Sequence, residues 1–155
     1  MTDWIEYLDI NNKYRNDKNK ADIIKFMFMC MQCNEYCNIE YGRDISDAKK
    51  IKLLSDNIKL KFIYDDYKEM FIKSFSELKC DNNQRTYVKD MRYPDKPREY
   101  KYYNSRNDNL KNFLNVVYQI RCNLFHGEKE PTSEDITLIS WAYDCLSQLL
   151  EGVID

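Results

Sequence analysis

Three glycines and three prolines are all that this 155-residue chain contains, and where they fall limits its fold more than any other feature. A sandwich or barrel of short strands needs turn residues at regular short intervals, so six such residues exclude it. Gly42 and Gly127 fall just past two apolar-periodic stretches, Gly152 falls near the end of a third, and Pro94, Pro97 and Pro131 lie between stretches. That is the placement of helix C-caps and inter-helix breaks. No G-x-G-x-x-G and no G-x-x-x-x-G-K-[ST] can be written anywhere, which removes the Rossmann and P-loop phosphate sites.

The remaining sequence is periodic at helical spacing in five segments. Residues 2–10 carry Trp4, Ile5 and Leu8 behind a cap at Thr2 or Asp3. Residues 20–40 carry Ile23, Ile24, Met27, Cys30, Met31 and Cys33. Residues 47–79 carry Ile51, Leu54, Ile58, Phe62, Tyr67, Met70, Phe71, Phe75 and Leu78, with a break expected near Ser55-Asp56-Asn57. Residues 108–126 run from a cap at Asp108 through Leu110, Phe113, Leu114, Val117 and Leu124. Residues 133–151 start at Ser133 and carry Ile136, Leu138, Trp141, Ala142, Cys145, Leu149 and Leu150. The expectation is one all-α domain over 1–155, an up-and-down bundle of about five helices. A chain this long buries enough surface to fold without disulfides or a metal.

Residues 80–107 break the pattern, and a loop that long in a compact domain is functional or disordered. Within it, Gln84 to Arg106 holds seven basic residues against three acidic ones, with Tyr87, Tyr93, Tyr100, Tyr102 and Tyr103 interleaved. The chain as a whole has a formal net charge of −2, so any nucleic-acid contact must be local. The acidic stretch from Glu128 onward reads as the solvated face of the last helix. No apolar run is long enough to span a bilayer, and Met1-Thr2-Asp3-Trp4 opens no signal peptide. A cytoplasmic protein with no membrane contact is expected.

Cys30, Cys33 and Cys37 share one helix face. Zinc needs four ligands, and the single histidine is far along the chain, so the cysteines read as apolar packing and no metal or other cofactor is expected.

The segment Asn115-Val116-Val117-Tyr118-Gln119-Ile120-Arg121-Cys122-Asn123-Leu124-Phe125-His126-Gly127-Glu128-Lys129 carries the chemistry. On a 3.6-residue wheel Leu110, Leu114, Val117, Leu124 and Phe125 lie within about 60° of Arg121, which puts a guanidinium in the apolar stripe. It needs a carboxylate, a helix end or a phosphate. Glu69 or Asp144 could supply the carboxylate, and His126 could be a C-terminal cap favoured by the helix dipole. Asn115, Gln119, Cys122 and His126 form a polar flank about 100–160° away.

The string Arg121-Cys122-Asn123-Leu124-Phe125-His126-Gly127-Glu128-Lys129 resembles the R-x(4–6)-H signature of HEPN domains, helical-bundle ribonucleases of bacterial toxin–antitoxin and anti-phage systems. The resemblance covers about fifteen residues and implies a HEPN-like bundle acting as a metal-independent endoribonuclease, with Arg121 and His126 catalytic and Gln119, Cys122 and Asn123 supporting them. Family members usually carry a polar residue, commonly Asn, directly after the arginine, where this chain has Cys122. The resemblance further implies a homodimer whose two motifs line one cleft, an RNA substrate, and an antitoxin or defence-complex partner. Lys129, Arg106, Lys101, Arg98, Tyr102 and Tyr103 are the expected RNA contacts, with cations on phosphates and rings on unpaired bases. The alternative is an inert HEPN module that binds RNA or nucleotide or scaffolds a defence complex; a plain helical interaction protein is the third reading.

Overall fold

The computed structural model describes residues 18–80, 83–126, 132–151 and 153; at 18–20, 79–80, 83–84 and 126 only the backbone is described. Over these residues the protein is an all-α bundle. Helix α1 spans Lys18–Tyr41, α2 Asp47–Ser55, α3 Ile58–Ser76, α4 Leu110–His126 and α5 Ser133–Leu150. The expected helix over 2–10 lies outside the described residues, as do Gly127 and Gly152.

Local chemistry sets the boundaries. Gly42 ends α1 in the left-handed region at φ 104°, its N–H donating to the Asn38 carbonyl, where a side chain would be strained. The break expected near 55–57 divides the third segment into α2 and α3. Ser46 caps α2 and Asn57 caps α3, each accepting from a backbone N–H three residues on. Thr132 and Asp135 form a reciprocal capping box on α5. The cap of α4 is Asn109 and not Asp108: the Asn109 carboxamide accepts from Asn112 N–H at 2.8 Å, while the Asp108 carbonyl receives the Tyr64 hydroxyl at 2.7 Å.

Helix α5 packs against α1, α3 and α4, and its Trp141 enters an aromatic core with Phe75 and Phe113. On α3 the buried stripe is Leu60, Tyr64, Phe71 and Phe75, whereas Ile58 and Phe62 are each 70 % exposed. Spacing alone signalled a helix there without choosing its inner face. Of the cysteines, Cys37 and Cys145 are buried and Cys30 and Cys33 are half-buried.

The aperiodic segment is an ordered strap. Its two-residue strands are β1 (Lys79–Cys80), β2 (Asn83–Gln84), β3 (Tyr87–Val88) and β4 (Lys101–Tyr102), followed in space as antiparallel pairs β1–β2 and β3–β4. An ion pair between Arg85 and Glu134 ties its start to the first turn of α5. Among the described residues no helix is long and apolar enough to cross a membrane.

Candidate functional site

Helix α4 presents two faces of opposite character. Arg121 stands on one, about 180° around the helix from Asn112. Its guanidinium lies over the rings of Tyr118 and Phe125, at 5.6 and 5.3 Å from the centroids, contacts worth about 0.5–1 kcal/mol each when exposed. Among the described residues no hydrogen bond or ion pair engages it. The two carboxylates that could have buried it are elsewhere: Glu69 is exposed on α3, and the Asp144 carboxyl, raised by burial and then by Asp22, feels Lys25 as its cation.

Arg121 instead lines a cleft of about 90 Å³ between α1, α2 and α4. Leu54, Leu114 and Leu146 help form its floor, while Cys30, Asn34 and Lys50 stand with Arg121 on its walls. The Lys50 ammonium donates to the Asn34 carbonyl oxygen at 2.6 Å. Asp47, which also borders the cleft, accepts the Tyr118 hydroxyl at 2.7 Å. Burial, then the hydrogen bonds to Asp47 and Cys122, push the Tyr118 hydroxyl well up, so it stays a donor at neutral pH. Cys30 and Cys33 are neutral thiols on the wall. Burial pushes Cys30 up to about 12 even though Arg121 opposes it. Cys33 is raised by its hydrogen bond to Cys37 and by burial, the same bond lowering Cys37.

The opposite face of α4 carries Asn112, Gln119 and Asn123, within about 40° of one another. Asn123 Nδ2 donates to the Lys89 carbonyl at 2.7 Å, and its Oδ1 accepts from Met91 N–H at 3.1 Å and Gln119 Nε2 at 2.9 Å. Asn112 Nδ2 lies 2.6 Å from the Tyr102 carbonyl and 2.8 Å from that of Asn107. These amides bind the strap. Gln119 and Asn123, expected to support Arg121, are thus committed to the far side of the helix. Cys122 is half-buried between the two faces, beside Tyr118.

His126 is the last residue of α4, about 140° round the helix from Arg121; its side chain and all of Lys129 lie outside the described residues. Of the remaining expected RNA contacts, Arg98, Lys101, Tyr102 and Arg106 are exposed on the strap. Tyr103 is not. It is 1 % exposed, with its ring against Phe75, Phe113 and Trp141 and its hydroxyl 2.9 Å from that of Tyr64. Tyr64 uses its own proton on the Asp108 carbonyl, so Tyr103 is the donor between them. Its ring is core and cannot stack on a base in this fold. Tyr87 and Tyr100 stack on each other at 5.1 Å, and Tyr93 and Tyr102, each 41 % exposed, are the more exposed rings of the strap, Tyr93 beneath Arg92 and Lys96 and Tyr102 beside Tyr87.

Among the described residues no group of His, Cys, Asp and Glu could hold a metal ion. Sequence reasoning missed Lys50 and Asn34, whose convergence with Arg121 depends on the packing of α1 and α2 against α4. Comparison with protein-family models, with curated proteins and with solved structures returns no match for this chain.

Proposed function

We propose that this protein is a metal-independent endoribonuclease of the HEPN kind, a toxin or defence effector that works as a homodimer. The observation that carries this reading is Arg121: a half-buried guanidinium at a cleft, engaged by no carboxylate among the described residues. Its fork of N–H donors suits the two non-bridging oxygens of a phosphodiester. In the proposed reaction the 2′-oxygen attacks phosphorus and the P–O5′ bond breaks. The products are a 2′,3′-cyclic phosphate and a 5′-hydroxyl. His126 exchanges a proton with the attacking or the leaving oxygen, a task its unperturbed pKa of about 6.5 suits. One imidazole does not serve both oxygens at once, and a second copy of the chain supplies the other. An antitoxin or defence-complex partner would restrain such an activity in the cytoplasm.

The second reading, an inert HEPN module that binds RNA, is favoured by one observation: the residue after Arg121 is a thiol, and the neighbouring Asn123 amide is spent on the strap. Purified protein incubated with total RNA in EDTA separates the two. Cleavage that leaves cyclic phosphate ends and is abolished in His126→Ala supports the nuclease; binding without cleavage supports the inert module.

A further inference from the structure

We infer that the cleft between α1, α2 and α4 seats one unpaired nucleotide of a single-stranded RNA, with its base on the apolar floor and the flanking phosphates on Arg121 and Lys50. This deepens the ribonuclease reading, on which the phosphate at Arg121 rests, and adds Lys50 as a residue that positions the strand.

The walls and floor of the cleft differ in a way that fits an amphipathic anion. The floor is aliphatic, with Leu54, Leu114 and Leu146, and on the cysteine wall burial pushes Cys30 up to about 12 and Cys33 is raised too, while the bond to Cys33 lowers Cys37. Two cations border this apolar space, and neither has a carboxylate partner among the described residues. Lys50 meets only a neutral amide, at Asn34. Asp47 also borders the cleft and accepts the Tyr118 hydroxyl, so the lining holds two cations against one carboxylate. At about 90 Å³ the open cleft admits part of one flat ring and not the side of a partner helix.

Lys50 reaches across to α1 at Asn34, while Arg121 rests on the rings of Tyr118 and Phe125 on its own helix. Each cation is held by its own neighbours, so each can meet a separate phosphate of one strand. A base held in a duplex cannot reach the floor, since recognition of this kind needs unstacked bases. The chain's net charge of −2 makes such a local pair of cations the means of binding a polyanion.

The test is equilibrium binding of a fluorescent 2′-fluoro oligonucleotide, which the protein cannot cut, by anisotropy across a salt series. The wild-type chain is expected to prefer the single strand to the same sequence as duplex. Lys50→Ala should weaken binding about tenfold and flatten the log–log salt slope by about 0.7, the loss of one phosphate contact. Lys50→Arg should restore both. The same oligomer with abasic sugars should bind far more weakly than the parent. Equal affinity for Lys50→Ala and wild type, or equal affinity for the abasic and parent strands, overturns the inference. The readout is independent of cleavage. Lys50-dependent binding by a protein that cuts no RNA sinks the nuclease and keeps the subsite, and undiminished cutting and binding by Lys50→Ala does the reverse.

Discussion

Arg92 and Arg121 lie on opposite sides of the same helix and are treated in opposite ways. On the strap side, Arg92 holds Asp90 through its Nε at 3.2 Å and its Nη2 at 2.9 Å, and its backbone N–H donates to the same carboxylate. Two neighbouring backbone groups are tied as well: the carbonyl of Lys89 and the N–H of Met91 both end on Asn123. On the cleft side, Arg121 rests on two aromatic rings and meets no acid among the described residues. A cation half-buried without an acid gains the fold only its ring contacts, set against the cost of desolvating it. The difference teaches that one side of α4 is built for cohesion and the other keeps a charge available.

The largest effect that this contrast predicts is on activity. His126→Ala should lower RNA cleavage by about 10²–10⁴, the usual contribution of a general acid–base group. Arg121→Lys should be similarly impaired, because an ammonium lacks the bidentate fork. Rates measured on a defined RNA in EDTA check both, and full activity in His126→Ala ends the mechanism.

On the strap side the effect should appear in stability. Asn123→Ala strands the half-buried Lys89 carbonyl and returns the exposed Met91 N–H to water, a cost of about 1–3 kcal/mol for the carbonyl, read as a fall in the urea midpoint. On the cleft side, Arg121→Ala should cost at most about 1–2 kcal/mol, since it breaks no ion pair and loses only two ring contacts. A loss of 3–5 kcal/mol, as when a buried pair is broken, would collapse the distinction between the two faces.

How much of this the sequence disclosed depends on the range of the interaction that decides each residue. Helix ends were legible because they are set within four residues: Gly42, the break before Asn57, and the start of α5 all follow from local capping chemistry. Arg121 was legible as an anomaly, a guanidinium on an apolar stripe, because helix geometry is a local rule. Tyr103 was not, since it adjoins the exposed Tyr102 in a polar segment without period, and only the packing of α3, α4 and α5 makes it core. Asn123 was expected, from the resemblance, to support the arginine; its partner is a backbone carbonyl 34 residues earlier. Lys50 and Asn34 are 16 residues apart and gave no motif at all.

The smallest expected effect is the pH dependence of the strap. Asp90 is 3 % exposed, and its carboxyl is held below the usual carboxylate range first by the hydrogen bond from the Arg92 side chain, with the Arg92 backbone N–H and the charges of Arg92 and Lys101 adding to it against burial. In the unfolded chain the same group titrates near 3.9. The stability that the pair contributes is therefore fully present above about pH 4 and is lost as pH falls through the depressed folded value. Other carboxylates titrate in that range, so the informative quantity is the difference between the wild-type protein and Asp90→Asn, which keeps the shape and removes the charge. That difference should be constant from pH 7 to about pH 5 and shrink below about pH 4. A difference that persists unchanged at pH 2.5 would show that Arg92 gains nothing from the ionised form, and the strap side of α4 would then be held by its amides alone.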